Sequence, residues 1–143
     1  NGIFVKNTRY KALKSEFAFD ESVRLSDNSN VLKISATVGM QYPEITENVK
    51  AVFLEGFHSG TLNTDGKALN DFCQKAKEMN IPVFLTGACK GFYYESKLKF
   101  DGLNIKVLPP ASPIAMYIKL WLLPKSEFDK AFLPCAEDFY DND

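Results

Sequence analysis

The sequence is short of the residues and runs that metal sites and membrane spans require. It contains one histidine, His58, which cannot form a histidine-based metal cluster alone. Its longest apolar stretch, residues 114–123, is interrupted by Tyr117 and Lys119 and is far shorter than the ~20 residues that cross a bilayer. No glycine-rich phosphate or dinucleotide loop occurs either. We therefore expect no metal, no cofactor and no membrane span.

The chain also lacks an excess of charge and a cysteine framework. Its formal net charge is -1, so it has no broad attraction for nucleic acid or anionic lipid. Its three cysteines, Cys73, Cys89 and Cys135, are widely spaced and odd in number, which favours reduced thiols and a cytoplasmic location. The first residue is Asn1 and no charged and apolar leader follows it, so we expect the chain to begin inside a longer reading frame.

What the chain does contain is enough apolar material for one α/β domain. Hydrophobic residues make up 45% of its 143 residues. Continuous apolar runs at residues 51–57 and 82–88 are typical of strands buried on both faces. Residues 67–79 between them have the spacing of an amphipathic helix. Upstream, residues 31–38 predict another strand and residues 42–49 a short helix that begins at Pro43.

The rest of the chain extends this pattern at both ends. We predict a fourth strand at residues 104–108 and a buried helix with Ser112 as N-cap and Pro113 at its first position. A short helix capped by Ser126 follows over residues 126–133. The predicted fold is an open, doubly wound, Rossmann- or flavodoxin-like parallel sheet of about four strands, flanked by helices and preceded by a β-hairpin arm at residues 2–14.

These elements give a division of the chain into four parts. Residues 1–22 form an arm, residues 23–30 a polar linker, residues 31–135 the α/β domain, and residues 136–143 a loose acidic tail.

The segment of most chemical interest follows the second predicted strand, at residues 56–62 (GFHSGTL). In open parallel sheets, ligands bind beyond the carboxyl ends of the strands. Gly56 and Gly60 permit backbone geometry that side chains forbid, and Ser59 and Thr61 offer hydroxyls to a polar substrate. The same residues also fit a connecting loop without a ligand.

In order along the chain, the motifs VFLEGFHSGTL, NIPVFLT and ACKG resemble the small C-terminal domain of the bacterial-type L-asparaginase family. In that family a buried strand ends in a glycine-flanked polar loop, and a helix, an I-P-V strand and a Cys–Gly turn follow. The resemblance covers residues 31–123. It extends to the arm, because TRYKALKSEFAF places Lys11 eight residues before Phe19, the spacing at which the family has a catalytic lysine.

The resemblance implies an amidohydrolase that converts L-asparagine and water to L-aspartate and ammonia through a threonine nucleophile. Lys11 is then the lysine that helps to activate the threonine. Thr61, with Ser59 and Glu95, contacts the amino-acid end of the substrate across a subunit interface, in a homodimer or homotetramer. The resemblance also implies an N-terminal domain as partner, because the family's two threonine motifs, T-G-G-T-like and H-G-T-D, do not occur in these residues.

Departures from the family pattern leave other functions open. Thr61 stands where many relatives have asparagine, and PPASP at residues 109–113 replaces a D-M-T-like turn. A non-catalytic module that binds an amino acid or mediates assembly is one alternative. The asparaginase-like subunit of a tRNA-dependent amidotransferase is another. A flavodoxin or receiver domain is disfavoured, because the acidic cluster and the phosphate loop of those folds are missing.

Overall fold

A computed structural model of the chain describes residues 11, 13–24, 30–88 and 95–139. Within these residues, one sheet contains four strands, which are β1 (Val31–Ser35), β2 (Ala51–Glu55), β3 (Val83–Thr86) and β4 (Ile105–Val107). The strand order is β1-β2-β3-β4, and each neighbouring pair is parallel. The open parallel α/β sheet that the sequence predicts is therefore confirmed.

In the described part of the chain, three helices and one 3-10 helix flank this sheet. They are α1 (Lys67–Glu78), α2 (Glu95–Gly102), α3 (Pro113–Leu122) and the 3-10 helix Lys125–Phe132. None of the helices in the described residues is long and apolar enough to span a membrane.

The first face of the sheet is covered by the connections between the strands. Ile34, Val52, Leu54 and Leu85 point to this face. They pack with buried residues from the β1–β2 connection, from α1 and from α2, namely Ile45, Val49, Leu69, Phe72, Cys73, Ala76 and Phe100. Burial of this layer is the reason why residues 67–78 are helical, because their apolar side chains form one stripe toward the sheet.

The second face is covered by segments that lie outside the strand connections. Phe53 and Phe84 point to this face and pack with α3, the 3-10 helix and the arm. Met116 and Leu120 are the fully buried residues of α3. The Lys50 ammonium, just before β2, donates to the carbonyls of Trp121 and Leu123 at 2.6 and 2.7 Å, which satisfies the carboxyl end of α3.

The strand order does not reverse, so the four strands are not doubly wound as predicted. Each crossover moves in the same direction, and right-handed crossovers that do so lie on the same face. The residues that cover the second face therefore come from the segments before β1 and after β4.

The predicted helix at residues 42–49 is wrong, because residues 41–50 form an irregular connection. Tyr42 stacks on Phe72 of α1 with ring centroids 4.8 Å apart. The Thr46 hydroxyl bonds the side chain of Asn48 at 2.6 Å, and the Val49 amide donates to the Thr46 carbonyl at 3.0 Å. Such local bonds offer the backbone an alternative to the helix.

Other boundaries also differ from the predictions. The strands β1, β2 and β3 end two or three residues early, and Gly87 (φ +84°) turns the chain directly after β3. Helix α2 was not predicted, because Phe100 is its one fully buried side chain among those described and no apolar stripe exists. Ser112 and Pro113 occupy the predicted positions, although the Ser112 side chain makes no capping bond. Pro124 replaces Ser126 as the N-cap of the 3-10 helix.

The ends of the chain are more closely packed than the sequence indicates. The expected loose tail is wrong for Asp138 and Phe139, because Asp138 pairs with Lys119 and Phe139 is 2% exposed. Phe17 and Phe19 of the arm pack against the second core layer. The predicted hairpin at residues 2–14 lies almost entirely outside the described residues.

Truncation of α3 on its two sides tests the packing of the second face. Leu120 is fully buried, so Leu120→Ala should lower the free energy of unfolding by about 2–5 kcal/mol. Ile114 on the same helix is 64% exposed, and Ile114→Ala should change it by less than about 0.5 kcal/mol. Urea denaturation followed by circular dichroism measures both. Equal losses in the two variants would contradict this packing.

Candidate functional site

The carboxyl edge of the sheet gathers most of the segments that the sequence singled out. Residues 56–62 leave β2 at this edge. Helix α2 connects the carboxyl end of β3 to the amino end of β4, so its first residue, Glu95, lies toward the same edge. Polar groups at the carboxyl ends of parallel strands are well placed to bind a ligand.

The loop at residues 56–62 is fixed by its own backbone. The Phe57 amide donates to the Thr61 carbonyl at 2.9 Å, and the Gly60 amide donates to the Phe57 carbonyl at 2.7 Å. Gly60 has φ +73°, a conformation that favours glycine. A Cβ atom on Gly56 would lie 3.0 Å from the Thr61 carbonyl oxygen, so a side chain there would force this carbonyl to move by a few tenths of an ångström. The backbone of the loop thus accounts for both glycines, as the sequence pattern predicts.

The structure brings Ser59 and Thr61 together. Their hydroxyl oxygens are 2.8 Å apart, within hydrogen-bond distance, and either can be the donor. Ser59 is exposed and Thr61 is half-buried, while Leu62 beside them is buried in the first core layer. Leu62 therefore anchors the loop, and the paired hydroxyls are presented toward its outer side. Two adjacent hydroxyls can accept hydrogen bonds from an ammonium group and donate them to a carboxylate.

Lys11 lies in the arm and is exposed. Two residues later, the Leu13 amide donates to the Phe139 carbonyl at 3.0 Å. Phe139 in turn pairs with Ala111, which follows the carboxyl end of β4. The arm therefore reaches the carboxyl edge beside β4, whereas the loop of Ser59 and Thr61 leaves β2. The strand β3 lies between them.

A cavity of about 310 Å³ lies beside the loop. Its walls come from the segment after β1, from the loop after β2 and from the start of α1, and include Met40, Tyr42, Phe57 and Leu62. This lining is mostly apolar and does not include Ser59 or Thr61. The paired hydroxyls therefore face a different space from this cavity.

A row of polar side chains at the same edge was not predicted from the sequence. Ser35, Glu55 and Thr86 are the last residues of β1, β2 and β3, and they are neighbours in register. The Ser35 hydroxyl donates to Glu55 Oε2 at 2.9 Å, and the Lys33 ammonium lies 3.5 Å from the same oxygen. The Thr86 hydroxyl is fully buried and has no hydrogen-bond partner in the described part of the chain. The sequence signal for this row is a polar residue at the end of each strand.

The described residues contain no group of three histidine, cysteine or acidic side chains placed to hold a metal ion. His58 is exposed in the loop at residues 56–62. Cys89 lies outside the described residues. Within the described part of the chain, the chemistry at this edge is therefore that of hydroxyl, carboxylate and lysine side chains.

Comparisons with protein-family models, with curated proteins and with solved structures found no match to this chain.

Replacement of glycine by alanine tests whether the loop geometry depends on the close approach of Gly56 to the Thr61 carbonyl. Gly56→Ala forces the Thr61 carbonyl to move and should lower the free energy of unfolding by about 1–3 kcal/mol. The matched control is Gly102→Ala in α2, where a Cβ meets open space. The control should be neutral or more stable by up to about 1 kcal/mol. Urea denaturation measures both, and a Gly56→Ala protein as stable as the original would contradict the tight loop.

Proposed function

We propose that the chain is the C-terminal part of an L-asparaginase-like amidohydrolase. The observation that carries the proposal is the glycine-dependent loop after β2, which presents the hydroxyl pair of Ser59 and Thr61 at the carboxyl edge. The resemblance of VFLEGFHSGTL, NIPVFLT and ACKG to that family supports it, because this loop is the segment from which relatives contact the substrate.

In the proposed reaction, a threonine hydroxyl from the N-terminal polypeptide attacks the side-chain amide of L-asparagine. Ammonia leaves, and water then hydrolyses the threonine ester to L-aspartate. The hydrogen-bonded amine of Lys11 helps to activate the threonine hydroxyl, and the proton that this hydroxyl loses passes through the hydrogen-bonded network to the departing amide nitrogen. The Thr61 and Ser59 hydroxyls, with Glu95, bind the α-ammonium and α-carboxylate of the substrate.

The proposed site lies between subunits. The described edge supplies the hydroxyl pair, and the nucleophile belongs to other polypeptide, so one copy of this chain cannot enclose the substrate. A homodimer or homotetramer with two-fold symmetry would close the site, as resemblance to the family implies. We further propose a cytoplasmic location and no cofactor.

Replacement of Lys11 tests the catalytic role in the protein expressed with the polypeptide encoded upstream. Lys11→Met should lower kcat for L-asparagine by about 100-fold or more with little change in KM, because it removes the amine that helps to activate the threonine rather than a binding group. The matched control is Lys14→Met, also exposed in the arm, which should retain activity. Ammonia release measures both.

The 143-residue chain alone should hydrolyse neither asparagine nor glutamine. Hydrolysis by the chain alone would contradict a nucleophile outside it. An inactive complete protein would contradict the proposed function itself.

A non-catalytic module that binds an amino acid is the second candidate, and the amidotransferase subunit is a variant of the first. The PPASP segment at residues 109–113, which departs from the family pattern, favours the module. Titration calorimetry of the isolated chain with L-aspartate separates the two classes. If the chain is part of a hydrolase, it contains only half of the substrate pocket, and we expect no measurable heat of binding. Micromolar binding that Thr61→Val abolishes would favour the module.

A further inference from the structure

The two ends of the described chain meet at one buried ion pair. Lys119 of α3 is 3% exposed, and its ammonium lies 2.6 Å from Asp138 Oδ2. The same ammonium donates to the Leu133 carbonyl. It also lies 4.2 Å from the ring centroid of Phe139 and 5.3 Å from that of Phe17. A buried charge needs a counter-charge and hydrogen bonds, so this ammonium ties residues 133–139, hereafter the tail, to α3.

Asp138 also shapes the tail itself. Its other oxygen, Oδ1, accepts the Cys135 amide at 2.7 Å, and its own amide donates to the Cys135 carbonyl at 3.0 Å. One carboxylate oxygen thus closes the turn of the tail, while the other pairs with Lys119. The two roles can be separated chemically, because an amide side chain keeps an acceptor oxygen and loses the charge.

The tail in turn holds the arm. The Leu13 amide donates to the Phe139 carbonyl at 3.0 Å, and the Glu16 amide donates to the Pro134 carbonyl at 2.8 Å. These two bonds join residues 13–16 of the arm to residues 134–139 of the tail, which run in opposite directions. The position of the arm therefore depends on the position of the tail.

We propose that Lys119 and Asp138 are positioning residues for Lys11. By fixing the tail to α3, they fix the arm two residues beyond Lys11 and hold this lysine at the carboxyl edge of the sheet. The role of Lys11 in this inference rests on the proposed function, whereas the anchoring of the arm does not.

Asp138→Asn tests the anchoring on the 143-residue chain. Asparagine can still accept the Cys135 amide, but the Lys119 ammonium loses its buried counter-charge. We expect hydrogen exchange of the Leu13 and Glu16 amides to accelerate by about tenfold or more. The Val52 amide, which donates to the Pro82 carbonyl in the sheet, should keep its protection. Exchange resolved by residue through nuclear magnetic resonance measures these rates.

Two buried thiols give an independent readout. Burial raises the pKa of Cys73 to about 11 and also raises the pKa of Cys135, so both should alkylate slowly. Cys135 belongs to the tail, whereas Cys73 lies between α1 and the sheet. In Asp138→Asn, iodoacetamide should modify Cys135 about tenfold faster and leave Cys73 unchanged, as peptide mass spectrometry would show.

The outcomes decide the anchoring in both directions. Unchanged rates at Leu13, Glu16 and Cys135 would overturn it. Equal acceleration at Cys135 and Cys73 would also overturn it, because the pair would then support the whole domain rather than the arm. Asp71→Asn is the matched control, since it removes an exposed ion pair with Lys67 and should alter none of these rates.

A milder variant keeps the test valid if Asp138→Asn fails to fold. Phe139→Leu retains an apolar side chain but removes the ring beside the Lys119 ammonium. It should accelerate alkylation of Cys135 by about threefold, with Cys73 unaffected. An equal acceleration of alkylation at Cys135 and Cys73, or no acceleration at Cys135, would again overturn the anchoring.

Kinetics of the protein expressed with the upstream polypeptide test the link to Lys11. Asp138→Asn should lower kcat for L-asparagine and leave KM within about twofold, because the loop of Thr61 is held by its own backbone. Lys11→Met combined with Asp138→Asn should be no slower than Lys11→Met alone, since both act through one group. Multiplied losses would overturn the positioning role. An inactive parent protein would contradict the proposed function, while exchange and alkylation still decide the anchoring.

Discussion

The central strands β2 and β3 are buried on both faces, and most of the architecture follows from the need to cover them. Ala51, Val52, Phe53 and Leu54 are at most 1% exposed, so the chain must supply apolar layers above and below the sheet. Removal of that much apolar surface from water is the main favourable contribution to folding. Because three crossovers in one direction cover only the first face, the second layer has to come from residues outside the strand connections.

This requirement explains why the two ends of the chain meet. Helix α3 and the 3-10 helix follow β4 and cover Phe53 and Phe84, and the arm adds Phe17 and Phe19 at the margin of the same layer. The tail returns along the arm toward the carboxyl edge, where Phe139 pairs with Ala111. A segment far from the loop of Ser59 and Thr61 in sequence is thereby brought to the same edge of the sheet. The proposed active site depends on this long-range packing.

Sequence patterns predicted the parts whose signals are local. The apolar runs at residues 51–57 and 82–88, the amphipathic stretch between them and Pro113 each identify an element without knowledge of the rest. Helix α2 has no such signal, because Phe100 alone of its described side chains is fully buried. The pattern at residues 41–50 predicts a helix wrongly, because Ile45 and Val49 have helical spacing. Both side chains are buried, but the backbone that carries them is irregular. The predicted loose segment at residues 136–143 is wrong at Asp138, because the partner of this carboxylate, Lys119, lies 19 positions away and no local pattern indicates the pair.

The same distinction separates the two halves of the candidate site. Gly56, Gly60 and the hydroxyl pair lie within six consecutive residues, so the motif itself contains the information for their geometry. Lys11 has no comparable local determinant, because its segment is held through the tail by Lys119 and Asp138. A local motif can therefore specify the geometry of the proposed binding loop, whereas the position of the proposed catalytic lysine on the arm is set by the tertiary fold. Since local openings of a protein have separate free energies, the arm can be released while the loop remains intact. The proposed binding loop and the arm that carries the proposed catalytic lysine are thus stabilised by different interactions and respond to different substitutions.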